Sequence, residues 1–243
     1  MERHFRTMDR LARLRKRALR TVRRHGLGKA LYAACLKGLG RKWLQVLRGH
    51  YVDEVNPAFL EIRPPYAAGF LPATALEEFA RDPQTGFSEQ FIRGALAKGD
   101  KCYGFTHEGA LRAYGWYATN PTRISPELTI HFASGYVYLY KGFTHEHHRG
   151  RRLYPAGMTR ALRHYRSIGY KGMLAYVDAT NLDSLKSCAR TGFRVFGSIY
   201  VVRLLGRCFA YSSPGCARFS FRVEPIPTAG LATRSRRPGR SYP

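Results

Sequence analysis

Residues 137–193 constrain this chain more than any other stretch. In order they read as a tyrosine- and valine-rich strand, a basic turn around Gly150, a helix, a second strand, and a polar Asn181-x-x-Ser184 start to a second helix that closes on Gly192-Phe193. A strand, a crossover helix and a strand leave few ways to pack, because the helix must cover the sheet the strands belong to. The turn His148-Arg-Gly-Arg-Arg-Leu-Tyr-Pro155 opens a helix. Helix N-termini present unpaired N–H groups and a partial positive charge, and together these seat a phosphate. Gly150 lets the backbone turn tightly, and Pro155 in the first helical turn lacks an N–H that would have no partner anyway. The order points to an enzyme that uses a phosphate-bearing cofactor. Neither a P-loop nor a dinucleotide fingerprint is present.

Apolar positions three or four apart at Phe5, Met8, Leu11, Leu14, Ala18/Leu19 and Val22, with arginines between, predict a basic amphipathic helix over 3–24. Gly26 and Gly28 break it, and a second helical stretch is expected from Lys29 to Arg48, interrupted by Gly38 and Gly40. A prolyl section follows, with a short helix at Thr74–Arg81 and another capped by Ser88 and ended by Gly99. Lys101–His107 and Ala110–Ala118 read as a hairpin about Glu108-Gly109, and Ser134–Thr144 as a further strand. Pro155–Gly169 and Asn181–Thr191 are the helices of the key stretch, with strand Gly172–Asp178 between them. Arg194–Leu205 reads as one or two strands broken near Gly197, and Arg218–Val223 as an edge strand. This alternation predicts an α/β domain with a mixed, mostly antiparallel sheet flanked by helices. The expected organisation is a basic helical arm (1–50), a catalytic domain (51–210), and an edge strand with a disordered basic tail (211–243).

Charge sharpens this division. The chain of 243 residues carries 41 Lys+Arg against 16 Asp+Glu, and residues 1–50 hold fifteen of the basic side chains with only two acids. Such asymmetry attracts anionic partners. The arm can pack on its own domain or on a second copy, lie on anionic lipid, or contact nucleic acid. Five scattered cysteines without a C-x-x-C pair argue for free thiols and against a zinc site or a disulfide framework. No apolar run is long enough for a membrane-spanning helix, and the N-terminus lacks the apolar core of a secretory signal. A cytoplasmic protein, associated peripherally with the inner face of a membrane, is the expectation.

Arg149-Gly150-Arg151-Arg152-Leu153-Tyr154, the Asn181-x-x-Ser184 helix start and the closing Gly-Phe resemble the GCN5-related N-acetyltransferase (GNAT) superfamily over roughly residues 100–205. The resemblance implies an enzyme that takes acetyl-CoA or another acyl-CoA as co-substrate, needs no metal, and transfers the acyl group to an amine. It implies that backbone N–H groups of Arg151, Arg152, Leu153 and Tyr154 hold the pyrophosphate, with Arg149 and Gly150 completing the turn. Amides at Phe143 and Thr144 would face the pantetheine and the thioester carbonyl. Asn181 would bind the coenzyme arm, and Ser184 would cap the second helix or touch it. Cys188 stands where many members carry a tyrosine that protonates the departing thiolate, and Tyr140 roughly where a strand glutamate is frequent, so these two are the candidate catalytic residues. Arg152 and Tyr154 replace small residues of the motif, and Arg152 is expected to need a negative φ with its side chain pointing out. The implied partners are a small-molecule or peptide amine acceptor, an anionic membrane surface engaged through residues 1–50, and a second copy of the chain, with nucleic acid behind these. The rival reading is a catalytically altered scaffold that acts as a basic membrane- or nucleic-acid-binding module.

Overall fold

The computed structural model describes residues 18–62 and 65–226. Most of the expected N-terminal amphipathic helix and nearly all of the basic tail lie outside them. A helical stretch at 18–25 leads over Gly26 into α1 (Leu27–Trp43), which runs through Gly28, Gly38 and Gly40. At Leu44 the chain leaves the helix and forms β1 (Leu44–Val52). Here the sequence reading is corrected: helix was expected to Arg48 and a domain boundary at 50. Val46, Leu47, Tyr51 and Val52 are all buried, so the strand is covered on both faces and lacks the alternation that identifies a half-exposed strand. Continuing apolar content made it look like more helix.

The remaining strands are β2 (Ala67–Phe70), β3 (Lys101–His107), β4 (Ala110–Ala118), β5 (Thr122–Ser125), β6 (Leu128–His131), β7 (Tyr136–Thr144), β8 (Gly172–Asp178), β9 (Arg194–Leu204), β10 (Arg207–Ser212) and β11 (Arg222–Pro225). The helices are α2 (Ala73–Phe79), α3 (Glu89–Ala97), α4 (Leu153–Ser167) and α5 (Leu182–Arg190). Ser88 caps α3 as its spacing predicts, with Oγ accepting from the Phe91 N–H at 3.2 Å. Glu108 and Gly109 both take positive φ, 53° and 72°, which suits the two-residue turn that joins β3 to β4.

Eight strands form one sheet in the order β10-β9-β1-β8-β7-β4-β3-β2, and β11-β6-β5 form a second. Among the described residues only β7 and β8 pair in parallel; every other pairing is antiparallel. This is the mixed, mostly antiparallel sheet flanked by helices that the sequence predicts. The α4 residues Ala161, Leu162 and Tyr165 pack on Val137, Leu139 and Met173 on one face. The small sheet brings Leu128, Ile130 and Val223 onto Tyr138, Leu174 and Ile199 on the other. Leu76 of α2 and Ile92 of α3 cover Cys102 and Trp116. β9 runs as one strand through Gly197, with Phe196 beside it left as an extra residue in the pairing with β1, and the expected edge strand starts only at Arg222 because a 3-10 turn occupies Pro214–Phe219. β2, β5 and β6 are four-residue strands without a pattern long enough to read. All five cysteines are free.

Candidate active site

β7 and β8 run side by side from Tyr136/Gly172 to Leu139/Ala175 and then part. The cause lies in the next residue. Between β4 and β7 the register steps from Trp116/Lys141 to Tyr117/Leu139, which leaves Tyr140 as an extra residue. A bulge of this kind bends its strand. β8 stays straight because β1 pairs with its far edge as far as Asp178. Between the diverging strands opens a cleft of about 580 Å³, lined by Tyr140, Gly142 and Thr144 on one wall and Val177, Ser184 and Cys188 on the other.

The wall along β7 is polar at its backbone. His145 donates its N–H to Arg112 O at 2.8 Å, and Thr144 lies opposite Ala113. In an antiparallel ladder hydrogen-bonded and non-bonded pairs alternate. Phe143 is therefore bonded to Tyr114, while the N–H groups of Gly142 and Thr144 turn away from β4 toward the cleft. Of the two amides the sequence pointed to, Thr144 is one; Phe143 is replaced by Gly142. The Phe143 ring instead stacks on Tyr114, with centroids 5.6 Å apart.

At the mouth of the cleft the chain passes through a 3-10 turn at Glu146–His148 into α4. Gly150 takes φ 81° and Arg152 φ 60°. The expected negative φ at Arg152 is thus wrong: two left-handed residues are needed to turn the chain so sharply into the helix, and Arg152 accepts a strain of about 1 kcal/mol. Its side chain is exposed, as expected. The Arg152 side chain does not cap α4. The consecutive N–H groups of Gly150, Arg151, Arg152, Leu153 and Tyr154 have no hydrogen-bond acceptor among the described residues. Arg149, Arg151 and Arg152 surround them, exposed and without a described carboxylate partner. Five free donors and three cations at the positive end of a 15-residue helix form an anion cradle.

Across the cleft, Asn181 caps α5, its Oδ1 accepting the Ser184 N–H at 3.2 Å. Of the roles foreseen for these residues, helix capping belongs to Asn181, and Ser184 is the residue capped. Both still line the cleft. Cys188 is buried on the same wall, and burial pushes its thiol up to about 11, so at neutral pH it is a protonated thiol. Tyr154 comes from the first turn of α4 and lies directly on Gly142: a Cβ there would meet the ring at 2.1 Å. Burial, and then the neighbouring Cys188, keep its phenol protonated far above the ordinary tyrosine range. Tyr140 is committed elsewhere. Its hydroxyl donates to Asp100 Oδ2 at 2.8 Å, and Lys98 Nζ meets the same oxygen at 2.9 Å. Burial drives the Asp100 carboxyl upward against both contacts, and its Oδ1 is buried without a partner. Tyr140 therefore presents a bulge and a ring to the cleft, with its proton directed away toward Asp100. Sequence reasoning missed Gly142 and Asp100. A glycine after an aromatic strand was the one trace of the first, and Asp100 shows nothing until the fold brings Tyr140 to it.

No protein-family model and no curated protein matches the sequence. Solved structures similar to this chain include an acetyltransferase of the GNAT family from Colwellia psychrerythraea, 18% identical over 69% of this chain and 56% of that one, with a TM-score of 0.47. Another is a ribosomal-protein-alanine N-acetyltransferase from Brucella melitensis biovar Abortus 2308, 13% identical over 51% of this chain and 89% of that one, TM-score 0.40. A third is AAC(6')-Iy in complex with the bisubstrate analog CoA-S-monomethyl-acetylneamine, 16% identical over 53% of this chain and 90% of that one, TM-score 0.41. The chain spans less than two thirds of the Colwellia protein's length.

Proposed function

We propose that this chain is an acyl-CoA-dependent N-acyltransferase, with acetyl-CoA or another acyl-CoA as donor. One observation carries the reading: a cleft between two parting parallel strands ends at five unpartnered N–H groups of a helix N-terminus. The residues fit such a donor. The N–H groups of Gly150 to Tyr154 and the three arginines would hold its diphosphate, and the cleft between β7 and β8 would take the extended arm. A bound thioester supplies an activated acyl group. The N–H groups of Gly142 and Thr144 would stabilise negative charge developing on the carbonyl oxygen when an amine attacks. Neutral Cys188 and Tyr154 can offer hydrogen bonds to a departing sulfur. Both hold their protons too tightly to be strong acids. The carboxylates that line the cleft are engaged: Asp178 accepts from Thr180 and Gln45, and Asp183 pairs with Arg24 and His25. Rate enhancement would then rest on positioning and on the backbone donors, with the amine arriving neutral.

Calorimetric titration with acetyl-CoA tests the reading. The wild type should bind, and Gly150→Asp should not, because a carboxylate would stand among the phosphate-binding donors. Gly150→Ala is the control: its Cβ meets nothing within 4 Å, so only left-handed strain of about 1 kcal/mol is added. A binding-competent protein should then release free thiol when given acetyl-CoA and a panel of amines. Absence of binding by the wild type, or full binding by Gly150→Asp, refutes the reading. A catalytically altered scaffold that lost the cradle predicts the first of these outcomes.

A further inference from the structure

Beside the cradle lie a guanidinium and three imidazoles that the transfer reaction does not use. Arg112 is the extra residue of a second bulge, where β3–β4 pairing steps from Phe105/Ala113 to Thr106/Leu111. Bulges re-aim side chains. This one carries a half-buried guanidinium whose Nε is buried without a hydrogen-bond partner, and it has no ion pair with a described carboxylate. Around it gather the imidazoles of His107, His145 and His148, with the His107 and His145 rings each 5.8 Å from that of His148. His148 is held by Tyr66, Oη to Nδ1 at 2.6 Å, which leaves Nε2 without a described partner. His145 bonds Gln84 through Nε2 at 2.9 Å, and its Nδ1 is buried and unpartnered. The nearby acids face outward: Glu108 and Glu146 are exposed and stand 3.7 Å from His107 and His147. Arg112, Arg151, His145 and His107 together, after burial, hold the His148 imidazole below its ordinary range.

A half-buried guanidinium with a bare Nε and no described acid partner, close to the His148 imidazole, is an uncompensated charge. Its cost is recovered when an anion completes it. We propose that Arg112 and His148, with Arg151 shared between the two anions, form a site for a phosphate monoester, and that the monoester is the 3′-phosphate of the acyl donor whose diphosphate lies on the adjoining turn. This rests on the acyl-CoA reading above. The connection is covalent: His148 and Gly150 are two residues apart, so an anion on His148 and one on the free N–H groups are neighbours. In coenzyme A the 3′-phosphate and the diphosphate are likewise joined through a single ribose. Monoester and imidazole suit each other, since a dianion raises the proton affinity of His148 and gains a second charged donor. The site makes the enzyme selective for the phosphorylated coenzyme over donors that carry only a pantetheine diphosphate arm.

The test is calorimetric titration of the full chain with coenzyme A, with 3′-dephospho-coenzyme A and with inorganic phosphate. The wild type should bind coenzyme A at least tenfold more tightly than the dephospho form. Arg112→Gln should remove that preference, weakening coenzyme A about tenfold and leaving the dephospho form within twofold. Arg112→Lys should restore part of it. Should Arg112→Gln fold poorly, His148→Asn must show the same selective loss. Equal wild-type affinity for the two coenzymes overturns the site while leaving the acyl-CoA reading intact, as does an equal loss for both in Arg112→Gln. Binding of inorganic phosphate that Arg112→Gln abolishes, with no coenzyme preference, moves the site to a phosphate on another molecule and also overturns it. Failure of both coenzymes to bind overturns the two proposals together.

Discussion

Gly142 is where the cleft wall meets the cradle, and replacing it with alanine tests the geometry of both. The residue has no positive φ, so alanine is penalised only by what its methyl touches. It touches Tyr154, with Cε2 at 2.1 Å and both Cζ and Oη at 2.5 Å. Carbon atoms rest at about 3.5–4 Å, so the ring must retreat by more than an ångström. Tyr154 is half-buried against the α4 core cluster and belongs to the first turn of that helix, so its retreat drags the turn that carries the free N–H groups. Overpacking of this kind costs about 1–3 kcal/mol. The lower unfolded-state entropy of alanine returns about 0.4–1 kcal/mol. The net loss of roughly 1–2 kcal/mol should lower the melting temperature by about 2–8 °C for a chain of this size. Coenzyme affinity should fall as well. Gly69→Ala, where the Cβ meets nothing within 4 Å, is the matched control and should leave both unchanged. Tyr154→Ser should suppress the defect, so that the double variant is more stable than the sum of the single losses by about 1 kcal/mol or more. Differential scanning calorimetry on the wild type and the four variants reads this directly. Wild-type melting of Gly142→Ala, or strict additivity with Tyr154→Ser, would show that the ring does not lie on Gly142.

Two further outcomes follow from strain and burial. Arg152→Gly should raise stability by up to roughly 0.5 kcal/mol, because relief of about 1 kcal/mol of left-handed strain outweighs about 0.4–1 kcal/mol of added unfolded-state entropy. Coenzyme affinity should stay within a few-fold, since the backbone N–H remains; a lower melting temperature contradicts the assigned turn. His50 is 2% exposed, and its Nδ1 lies 2.8 Å from Arg48 O. Burial depresses its basicity in the folded state, so below pH about 6.5 the unfolded chain takes up a proton that the folded chain refuses. Stability should therefore fall as pH drops from about 6.5 toward the lowered folded value, at up to about 1.4 kcal/mol per pH unit. Urea unfolding at pH 7 and pH 5 should show a smaller drop for His50→Gln than for wild type; equal drops would show that His50 titrates alike in both states.

Patterns with a period were legible. The hairpin Lys101–Ala118 and strand Gly172–Asp178 lie where alternation and turn chemistry put them, and α3 begins at its serine cap. The turn into α4 was legible too, because glycine and proline at a helix start act through local chemistry. What escaped was set by tertiary context. β1 is covered on both faces, so its pattern is that of a buried helix as much as a strand. The bulge at Tyr140 exists only against β4, and it decides which backbone amides face the cleft. Arg152 looked wrong for a left-handed turn because local preference was weighed without the demand of the closing helix. Arg112 gives no sign in sequence, since its meaning comes from three histidines, one on β3 and two beyond the end of β7.

The position of β1 has a consequence for how the molecule is made. Leu47 pairs with Asp178 on one side and Ile199 on the other, so a strand from the first quarter of the chain is the beam between two strands from its last third. Pairings across so many residues pay their loop-closure entropy before they return any contact energy, and they form slowly. During synthesis β1 must wait, apolar on both faces, until β8 and β9 have left the ribosome. A truncation meant to remove the basic arm by cutting at residue 50 would delete this beam and leave two raw strand edges in the middle of the sheet. Such a construction would report on a broken sheet instead of on the arm, so any dissection of the N-terminal segment has to stop short of Leu44.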